Sequence, residues 1–116
     1  MAIVNYVQGG NTCVSNVEWS MTANSTGPVS NTTNGVYQVF VDTSAMLLSN
    51  TVQLRIYEKV WAAGTQRVIY ETNLVDVQQD PVWVSPSLVL MHGWDATANS
   101  QAGANVYLQW SIRRVA

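Results

Sequence analysis

The chain has 116 residues, of which 47% are hydrophobic and only 10% are charged, and its formal net charge at pH 7 is −2. Soluble domains carry about 25% charged residues, so uncharged polar side chains replace them here: the sequence contains 10 Asn, 10 Thr, 10 Ser and 8 Gln. The hydrophobic content excludes a chain kept disordered by charge, and five basic residues against seven acidic ones argue against binding to nucleic acid.

The length predicts one domain. We expect a single β domain over residues 11–116, preceded by residues 1–10 as either an N-terminal arm or the first strand. The N-terminus lacks the basic and apolar regions of a secretion signal. No apolar run approaches the roughly 20 residues that a membrane-spanning helix needs. The sequence therefore predicts a soluble protein, made in a cytoplasm, with no membrane partner.

Alternation of apolar and polar residues predicts β-strands along most of the chain. The sequence holds 18 Val against 7 Leu, and β-branched residues favour the pleated surface of a sheet over a helix. Six segments alternate with a period of two residues, as half-buried strands do. They are Thr12–Met21, Val36–Asp42, Val52–Tyr57, Arg67–Glu71, Leu88–His92 and Val106–Arg113.

Turn residues separate these strands. Asn34-Gly35 predicts a tight turn, and Ala63-Gly64-Thr65 predicts a short hairpin that joins strand Thr51–Trp61 to strand Gln66–Leu74. Across this hairpin, the arginine, lysine and glutamate side chains of the two strands can form ion pairs.

Two prolines mark an edge of the predicted sheet. Pro81 and Pro86 enclose Val82–Val84, which predicts an edge strand or an extended loop, because proline donates no hydrogen bond to a ladder. The remaining segments are small and polar and are expected as loops or one helical turn: Thr22–Thr33, Thr43–Leu48 and Ala96–Ala104. The pattern predicts an all-β fold, an antiparallel, jelly-roll-like sandwich or barrel of six to eight short strands, with at most one short helical turn.

The residues that carry chemistry are few. His92 is the only histidine, and any Ser-His-Asp or Cys-His arrangement would have to use it. Asp95 follows three residues later, where a strand end would direct it to the opposite face from His92. Cys13 lies in an apolar segment with no basic neighbour, which predicts an unreactive buried thiol. We therefore expect no enzymatic activity, no metal and no other cofactor.

Five tryptophans are the unusual feature of the composition. Trp19 and Trp110 fall on the apolar phase of their strands, which predicts that they lie in the core. Trp61, Trp83 and Trp94 fall at strand ends or in loops, where they are candidates for an interface. Two alternatives stay open for these three: they bind sugars by stacking, or they cap the ends of the sandwich.

The two ends of the chain supply the other interface candidates. Ile3 and Tyr6 lie in the N-terminal segment, which either adds as a strand to a neighbouring molecule or forms the first strand of its own domain. Arg113 and Arg114 lie near the C-terminus, where they either bind an acidic partner or remain solvated.

Residues 37–74 resemble a segment of small virion proteins of tailed bacteriophages. The likeness lies in Tyr37–Ala45, Val52–Val60 and Ala63–Glu71, and it continues in the C-terminal Trp110–Ala116. Within that group the chain is similar to capsid decoration (cement) proteins.

This resemblance implies a β-rich module, commonly a homotrimer, on the outer face of the capsid where several major capsid subunits meet. The expected partners are the major capsid protein and further copies of the chain. The expected location is the virion, after synthesis in the host cytoplasm. Such a protein needs no chemistry, because it stabilises the head by binding the assembled capsid and not the dissociated subunits.

A carbohydrate- or receptor-binding β-sandwich module of a phage fibre or tail is the alternative function, with Trp83 and Trp94 as rings on which a sugar stacks. A small hydrolase that depends on His92 is a third hypothesis. The low charge favours the structural function, because interface cores are depleted in charged residues and enriched in aromatic ones.

Overall fold

Ten β-strands and no helix are found among residues 2–102 and 105–115, the part of the chain that the computed structural model describes. Hence no described segment is a helix long and apolar enough to cross a membrane. The strands are β1 (Ile3–Cys13), β2 (Glu18–Ser20), β3 (Ser25–Thr26), β4 (Gly35–Asp42), β5 (Thr51–Glu58), β6 (Arg67–Val75), β7 (Val82–Val84), β8 (Leu88–Leu90), β9 (Asp95–Ala102) and β10 (Val106–Val115).

The strands form two antiparallel sheets. Sheet A has the order β1-β10-β4-β7, with β8 also paired to β4, and sheet B has the order β3-β2-β9-β5-β6. Strands β7 and β8 follow each other along one edge of β4, because β7 pairs with Phe40–Asp42 and β8 with Gly35–Tyr37. They therefore count as one interrupted strand.

When the two-residue β3, which pairs antiparallel with β2 at the edge of sheet B, is left aside, eight strand positions remain, in the order 1-8-3-6 in sheet A and 2-7-4-5 in sheet B. The chain thus passes back and forth between two packed sheets in the manner of a jelly roll. The predicted antiparallel, jelly-roll-like sandwich is confirmed.

The core lies between the inner faces of the two sheets. On β4 and β10 the buried side chains are those that the alternation predicts: Tyr37, Val39, Val41, Val106, Leu108, Trp110 and Ile112. Val52, Leu54 and Ile56 of β5 belong to the same cluster, and Trp19 packs against it. Burial of these apolar side chains is the main stabilising contribution, at about 25 cal/mol per Å² removed from water.

The predicted hairpin is confirmed by the pairing of β5 with β6. Its first strand ends at Glu58, before the predicted end at Trp61. Strand β7 lies at the edge of sheet A between Pro81 and Pro86, so the interpretation as an edge strand is correct. Ile3–Cys13 pairs with β10 as a strand of sheet A, and Met1 lies outside the described residues.

The prediction of one strand over Thr12–Met21 is wrong. The chain leaves sheet A after Cys13 and enters sheet B at Glu18, with Asn16 in the left-handed region at φ 64°. Asparagine tolerates this conformation better than most residues. The apolar alternation continues through the crossing because both strands face the same core, so periodicity alone does not reveal the break.

The prediction of a loop over Ala96–Ala104 is also wrong, although residues 103–104 lie outside the described part of the chain. Residues 95–102 form β9, the central strand of sheet B, paired with β2 on one side and β5 on the other. Ala96, Ala98 and Ser100 are fully buried. Small inward side chains suit this position because the same core holds Trp94 and Trp110, but they give no apolar signal in the sequence.

The two remaining loop predictions hold in part. Residues 43–48 form turns without a helix, and Met46 is buried within them. Residues 22–33 form a long connection, but they are only partly exposed, since Asn31 and Trp94 exchange two backbone hydrogen bonds of 2.9 Å.

Candidate functional site

The hairpin of β5 and β6 ends in an exposed apolar segment, Val60–Thr65, which we call the hairpin tip. Val60 is 89% exposed and Trp61 is 68% exposed, so neither side chain is part of the core. The Gly64 N–H donates to the Trp61 carbonyl at 2.9 Å. A Cβ at Gly64 would lie 2.6 Å from Trp61 Cδ1, so the indole lies against the turn in space that only glycine leaves open.

The first strand of the hairpin is tied to the loop that precedes β9. Glu58 Oε2 accepts hydrogen bonds from the backbone N–H groups of Met91 at 2.5 Å and His92 at 3.1 Å. The Lys59 N–H donates to the His92 carbonyl at 2.8 Å. Three hydrogen bonds therefore fix this strand where it leaves sheet B.

The second strand is anchored by one side chain. Gln66 Nε2 donates to the carbonyls of Val29 at 2.7 Å and Gly93 at 2.8 Å. Gly93 has a left-handed φ of 53°, and a Cβ there would lie 2.9 Å from Lys59 Cε. Both strands at the base of the hairpin are thus held in place, while the hairpin tip remains exposed.

The outer face of sheet A is a second exposed apolar surface. One row crosses the sheet: Ile3 on β1 pairs with Val115 on β10, Val115 with Val36 on β4, and Val36 with Val89 on β8. Ile3 is 74% exposed and Val89 is 76% exposed. A depression of about 150 Å³ lies beside this row, with Ile3, Val36 and Val115 in its lining.

Phe40 lies near the middle of this face, in a row between Ser111 on β10 and Val84 on β7. The guanidinium of Arg113 lies over the Phe40 ring, 3.8 Å from its centroid, which is a cation–π distance. Asp42 lies two residues from Phe40 on the same face. The outer face of sheet A therefore combines an apolar surface with one cation and one anion.

The outer face of sheet B is polar, and the Glu18 carboxylate is the acceptor that joins several of its side chains. Glu18 Oε2 accepts hydrogen bonds from the hydroxyls of Tyr57 at 2.5 Å and Thr97 at 2.6 Å. Arg55 lies 3.9 Å from Glu18 and pairs with Glu71 at 2.7 Å, which confirms ion pairing across the hairpin. Burial, together with the hydrogen bond to Glu18, raises the pKa of the Tyr57 phenol.

A row of amides crosses the same face. Glu18 lies opposite Asn99 on the neighbouring strand, Asn99 lies opposite Gln53, and Gln53 lies opposite Asn73. Gln101 donates to Gln53 at 3.0 Å. Among the described residues Asn99 Oδ1 is buried and has no hydrogen-bond partner, so this row retains an unused acceptor.

Asp95 is fully buried at the start of β9 and accepts hydrogen bonds from the connection between β2 and β4. Its Oδ1 accepts from the Thr22 hydroxyl at 2.7 Å and from Asn31 Nδ2 at 3.5 Å, and its Oδ2 accepts from the Val29 N–H at 2.9 Å. Burial raises the pKa of Asp95, and these hydrogen bonds partly oppose the rise. Asp95 therefore holds residues 22–31 to the sandwich and is not positioned as a partner of His92.

Two of the predicted interface residues belong to the core. Trp94 is fully buried, its ring centroid lies 4.4 Å from that of Tyr37, and its Nε1 donates to the Thr33 carbonyl at 3.0 Å. The prediction that Trp94 forms a surface contact is wrong, because the turn at Gly93 directs its ring inward. Tyr6 is half-buried and packs edge-on against Tyr37 at 5.2 Å, so it closes this aromatic cluster.

The other predicted residues differ in their exposure. Trp83 is half-buried, and its ring lies 6.2 Å from that of Tyr70, where the edges of the two sheets meet. Ile3 and Arg113 lie on the outer face of sheet A, as described above. Arg114 Nε donates to the Asn34 carbonyl at 2.9 Å and so holds the segment that enters β4. Trp61 alone of the three candidate tryptophans is largely exposed.

Cys13 is fully buried, and burial raises the pKa of its thiol to about 11. The thiol therefore stays protonated at neutral pH, which makes it a poor nucleophile. This agrees with the prediction from the sequence.

Sequence reasoning missed several exposed apolar residues, namely Val36, Val84 and Val89 on sheet A and Val60 at the hairpin tip, and it missed the half-buried Phe40. A signal for part of this group is present in Val36–Asp42, where the outward phase contains Val36 and Phe40 beside Gln38 and Asp42. A strand with apolar residues on both phases has two faces that favour burial.

No group of three or more His, Cys, Asp or Glu side chains that could hold a metal ion occurs within residues 2–102 and 105–115. Comparisons with protein-family models, curated proteins and solved structures give no match to this chain. Exposed apolar side chains therefore lie at the hairpin tip, on the outer face of sheet A, and in the connections at the opposite end of the β5–β6 hairpin, where Leu47, Leu48, Val75 and Val77 are exposed. The outer face of sheet B is polar.

Proposed function

We propose that this protein is a structural component of a tailed-phage virion, which binds the outer capsid surface between major capsid subunits and stabilises the head. The sequence resemblance suggests this setting. A jelly-roll sandwich with exposed apolar surfaces supports the proposal that the protein acts by contact and has no enzymatic activity. Large apolar patches on a soluble domain mark interaction sites more often than solvent-facing surface.

The hairpin tip is the observation that carries the proposal. Tryptophan is enriched among the few residues that supply most of the energy of protein interfaces. Binding costs less conformational entropy when the anchor is already held in place. Trp61 satisfies both conditions, because its side chain is exposed and hydrogen bonds fix both strands below it. In this proposal Val60 and Trp61 insert between major capsid subunits.

The test uses capsids assembled without the protein. Purified protein is added, and the bound fraction is measured after the capsids are sedimented. Truncating an anchoring tryptophan costs about 2 kcal/mol or more, so we expect Trp61→Ala to raise the Kd about 30-fold. Val60→Ser should weaken binding to a smaller extent.

Leu48→Ser is the matched control, because Leu48 is 77% exposed and lies in the connection before β5, at the opposite end of that strand from the hairpin tip. This variant should bind like the wild type. Wild-type protein that never binds such capsids would refute the proposed function. Binding that is unaffected by Trp61→Ala would refute the anchoring role of the hairpin tip.

A glycan-binding function is a second candidate, favoured by the amide row on sheet B. Sugar hydroxyls pair with amide and carboxylate groups, and the amides of Asn99, Gln53 and Asn73 lie in one row with the Glu18 carboxylate. This candidate expects a specific signal on a glycan array that Asn99→Ala abolishes. An array without signal for the wild type would remove it.

A further inference from the structure

The two sheets end in four strand edges, and three of these edges carry features that hinder the addition of a further strand. At one edge of sheet A, β7 and β8 have three residues each and are separated by Pro86, and at the other edge β1 has a bulge at Tyr6. At one edge of sheet B, β3 has only two residues. Short strands, prolines and bulges are the devices by which proteins protect such edges.

The fourth edge is the outer side of β6, which we call the free edge of β6. This strand has nine residues and contains no proline. It pairs with β5 without interruption over Tyr70–Val75, and its one bulge lies at Ile69. On its other side β6 pairs with no strand of the described chain. The free edge of β6 is therefore long enough and regular enough to accept a further strand.

Backbone hydrogen bonds show which residues of β6 present their polar groups to the free edge. The Asp76 N–H donates to the Asn50 carbonyl at 2.8 Å, which lies on the β5 side. The Val75 carbonyl belongs to the same planar peptide group and therefore points away from β5. Because the direction of these groups alternates along an antiparallel strand, the backbone groups of Asn73 and Glu71 also point to the free edge.

A second copy of β6 in antiparallel orientation matches this edge when Thr72 lies opposite its own counterpart. Glu71 of each copy then lies opposite Asn73 of the other, and these two residues exchange backbone hydrogen bonds, about four in total. On the inner face Tyr70 lies opposite Leu74, and both are half-buried side chains that pack against the core. The twofold axis that relates the copies passes through Thr72, perpendicular to sheet B.

The neighbouring registers lack this match. A register centred on Glu71 would place two carboxylates opposite each other, which is destabilising. A register centred on Asn73 would place Glu71 opposite Val75 and Thr72 opposite Leu74, so that polar side chains would meet apolar ones. A register centred between two residues would place the core face of one copy beside the outer face of the other.

Both ends of the matching segment are already blocked. At one end, the bulge at Ile69 interrupts the regular strand. At the other end, Gln78 Nε2 donates to the Val75 carbonyl at 2.9 Å and so occupies the last outward acceptor. The regular and open part of the edge is residues 70–74, which has Thr72 at its midpoint.

We propose that the free edge of β6 pairs with the same edge of a second copy of this chain, antiparallel and centred on Thr72, so that the two B sheets join into one continuous sheet. This is the isologous arrangement of most homodimers, in which one surface is complementary to itself. The inference goes beyond the proposed function and uses a different surface. The two hairpin tips lie at opposite ends of this dimer and remain exposed.

A cysteine at the centre of the register tests both the dimer and its alignment. Thr72→Cys places two thiols in directly opposite positions, where the Cα atoms are about 4.5 Å apart and a disulfide can form. We expect oxidised glutathione to convert this variant into a covalent dimer. The native Cys13 is fully buried and does not compete. Val75→Cys is the matched control, because Val75 is exposed on the same strand but lies about 20 Å from its counterpart in this register.

Two charge variants at Asn73 test the non-covalent dimer. Asn73→Lys faces Glu71 of the other copy and should lower the Kd, whereas Asn73→Glu faces it with a like charge and should raise the Kd, each by about threefold or more. Sedimentation velocity over a concentration series measures the Kd. Gln8→Lys and Gln8→Glu are the controls, because Gln8 is exposed on β1 of sheet A and the same charge changes there should leave the Kd unchanged.

Circular dichroism of each variant establishes that it is folded. Thr72→Cys that crosslinks no faster than Val75→Cys would overturn the proposal. A wild-type protein that stays monomeric at every concentration, or that forms only the trimer implied by the sequence resemblance, would do the same. Capsid binding by a strictly monomeric protein would leave the proposed function standing and this inference refuted, and a dimer of the expected register that binds no capsid would give the reverse result.

Discussion

Asp95 is the residue whose removal should affect stability most selectively. It is fully buried, and its carboxylate accepts the Thr22 hydroxyl and the Val29 N–H, which fixes the long connection between β2 and β4. The change Asp95→Ala removes both acceptors without altering the apolar core. We expect it to destabilise the fold substantially at pH 7.

The magnitude follows from the two main hydrogen bonds. The part-buried Val29 N–H would lose its partner, at about 1–3 kcal/mol, and a hydrogen bond from Thr22 to a charged group contributes about 1.5–3 kcal/mol. Asn31 loses little, because its Nδ2 also donates to the Thr22 hydroxyl and the Trp94 carbonyl. Relief of the buried charge offsets part of this sum. The net cost is about 3 kcal/mol, which corresponds to roughly 10 °C in Tm for a domain of this size.

Urea unfolding followed by tryptophan fluorescence measures this cost directly, because the buried Trp94 directly precedes Asp95. Asp80→Ala is the control: Asp80 is exposed, and surface substitutions of this kind change stability by about 0.5 kcal/mol or less. If the free energy of unfolding of Asp95→Ala lies within about 0.5 kcal/mol of the wild-type value, the connection between β2 and β4 is not held by this carboxylate and the reasoning fails.

The same carboxyl group makes a prediction about pH. Because burial raises its folded-state pKa above the usual 3.8, the folded protein binds this proton more tightly than the unfolded chain does. The resulting contribution to stability is fully present below the unfolded-state pKa and is lost as the pH rises through the folded-state pKa. Asp95→Asn cannot titrate, so the stability of the wild type relative to this variant should fall as the pH rises from 3.8. If the stability of the wild type relative to Asp95→Asn instead increased with pH over this range, the raised pKa would be contradicted.

Three further predictions concern the rest of the sandwich. A thiol reagent at pH 8 should label Cys13 only after unfolding, because the thiol is buried and its pKa is about 11; rapid labelling of the native protein would refute this. Glu71→Gln should cost at most about 1 kcal/mol, because its ion pair with Arg55 is partly exposed, and added salt should reduce this cost in urea titrations. Ala98→Leu should destabilise the fold by about 1–3 kcal/mol through overpacking and therefore lower the Tm, and an unchanged Tm would show unfilled space beside β9.

The strands that could be predicted from the sequence are those with large apolar residues on one phase. β10 is the clearest example, because Val106, Leu108, Trp110 and Ile112 alternate with outward residues and all four are buried. Strand β9 could not be found in this way, because its inward positions are occupied by alanine and serine. The inward positions of β9 are buried by large side chains of other strands, which only the three-dimensional arrangement brings together.

The same limit explains the outcome for the candidate site. Position in a loop or at a strand end predicts exposure for Trp61 correctly and for Trp94 incorrectly. The difference arises from partners distant in the chain, since Tyr6 and Tyr37 surround Trp94, whereas nothing comparable covers Trp61. Local sequence reports which side chains can anchor a partner, but tertiary contacts decide which of them remain available.

The low charge of the chain is also distributed unevenly between the two sheets. The strands of sheet A carry three of the twelve charged residues, Asp42, Arg113 and Arg114, whereas those of sheet B carry six, including Glu18, Arg55 and Glu71. On sheet B these groups pair with one another and with hydroxyls, which makes that outer face self-sufficient in water. On the outer face of sheet A the Arg113 guanidinium lies over the Phe40 ring, and the exposed row that runs from Ile3 through Val115 and Val36 to Val89 carries no charge. For the proposed function, which acts through contact with protein, this asymmetry favours sheet A over sheet B as a contact surface, because desolvating charged groups without partners would oppose association.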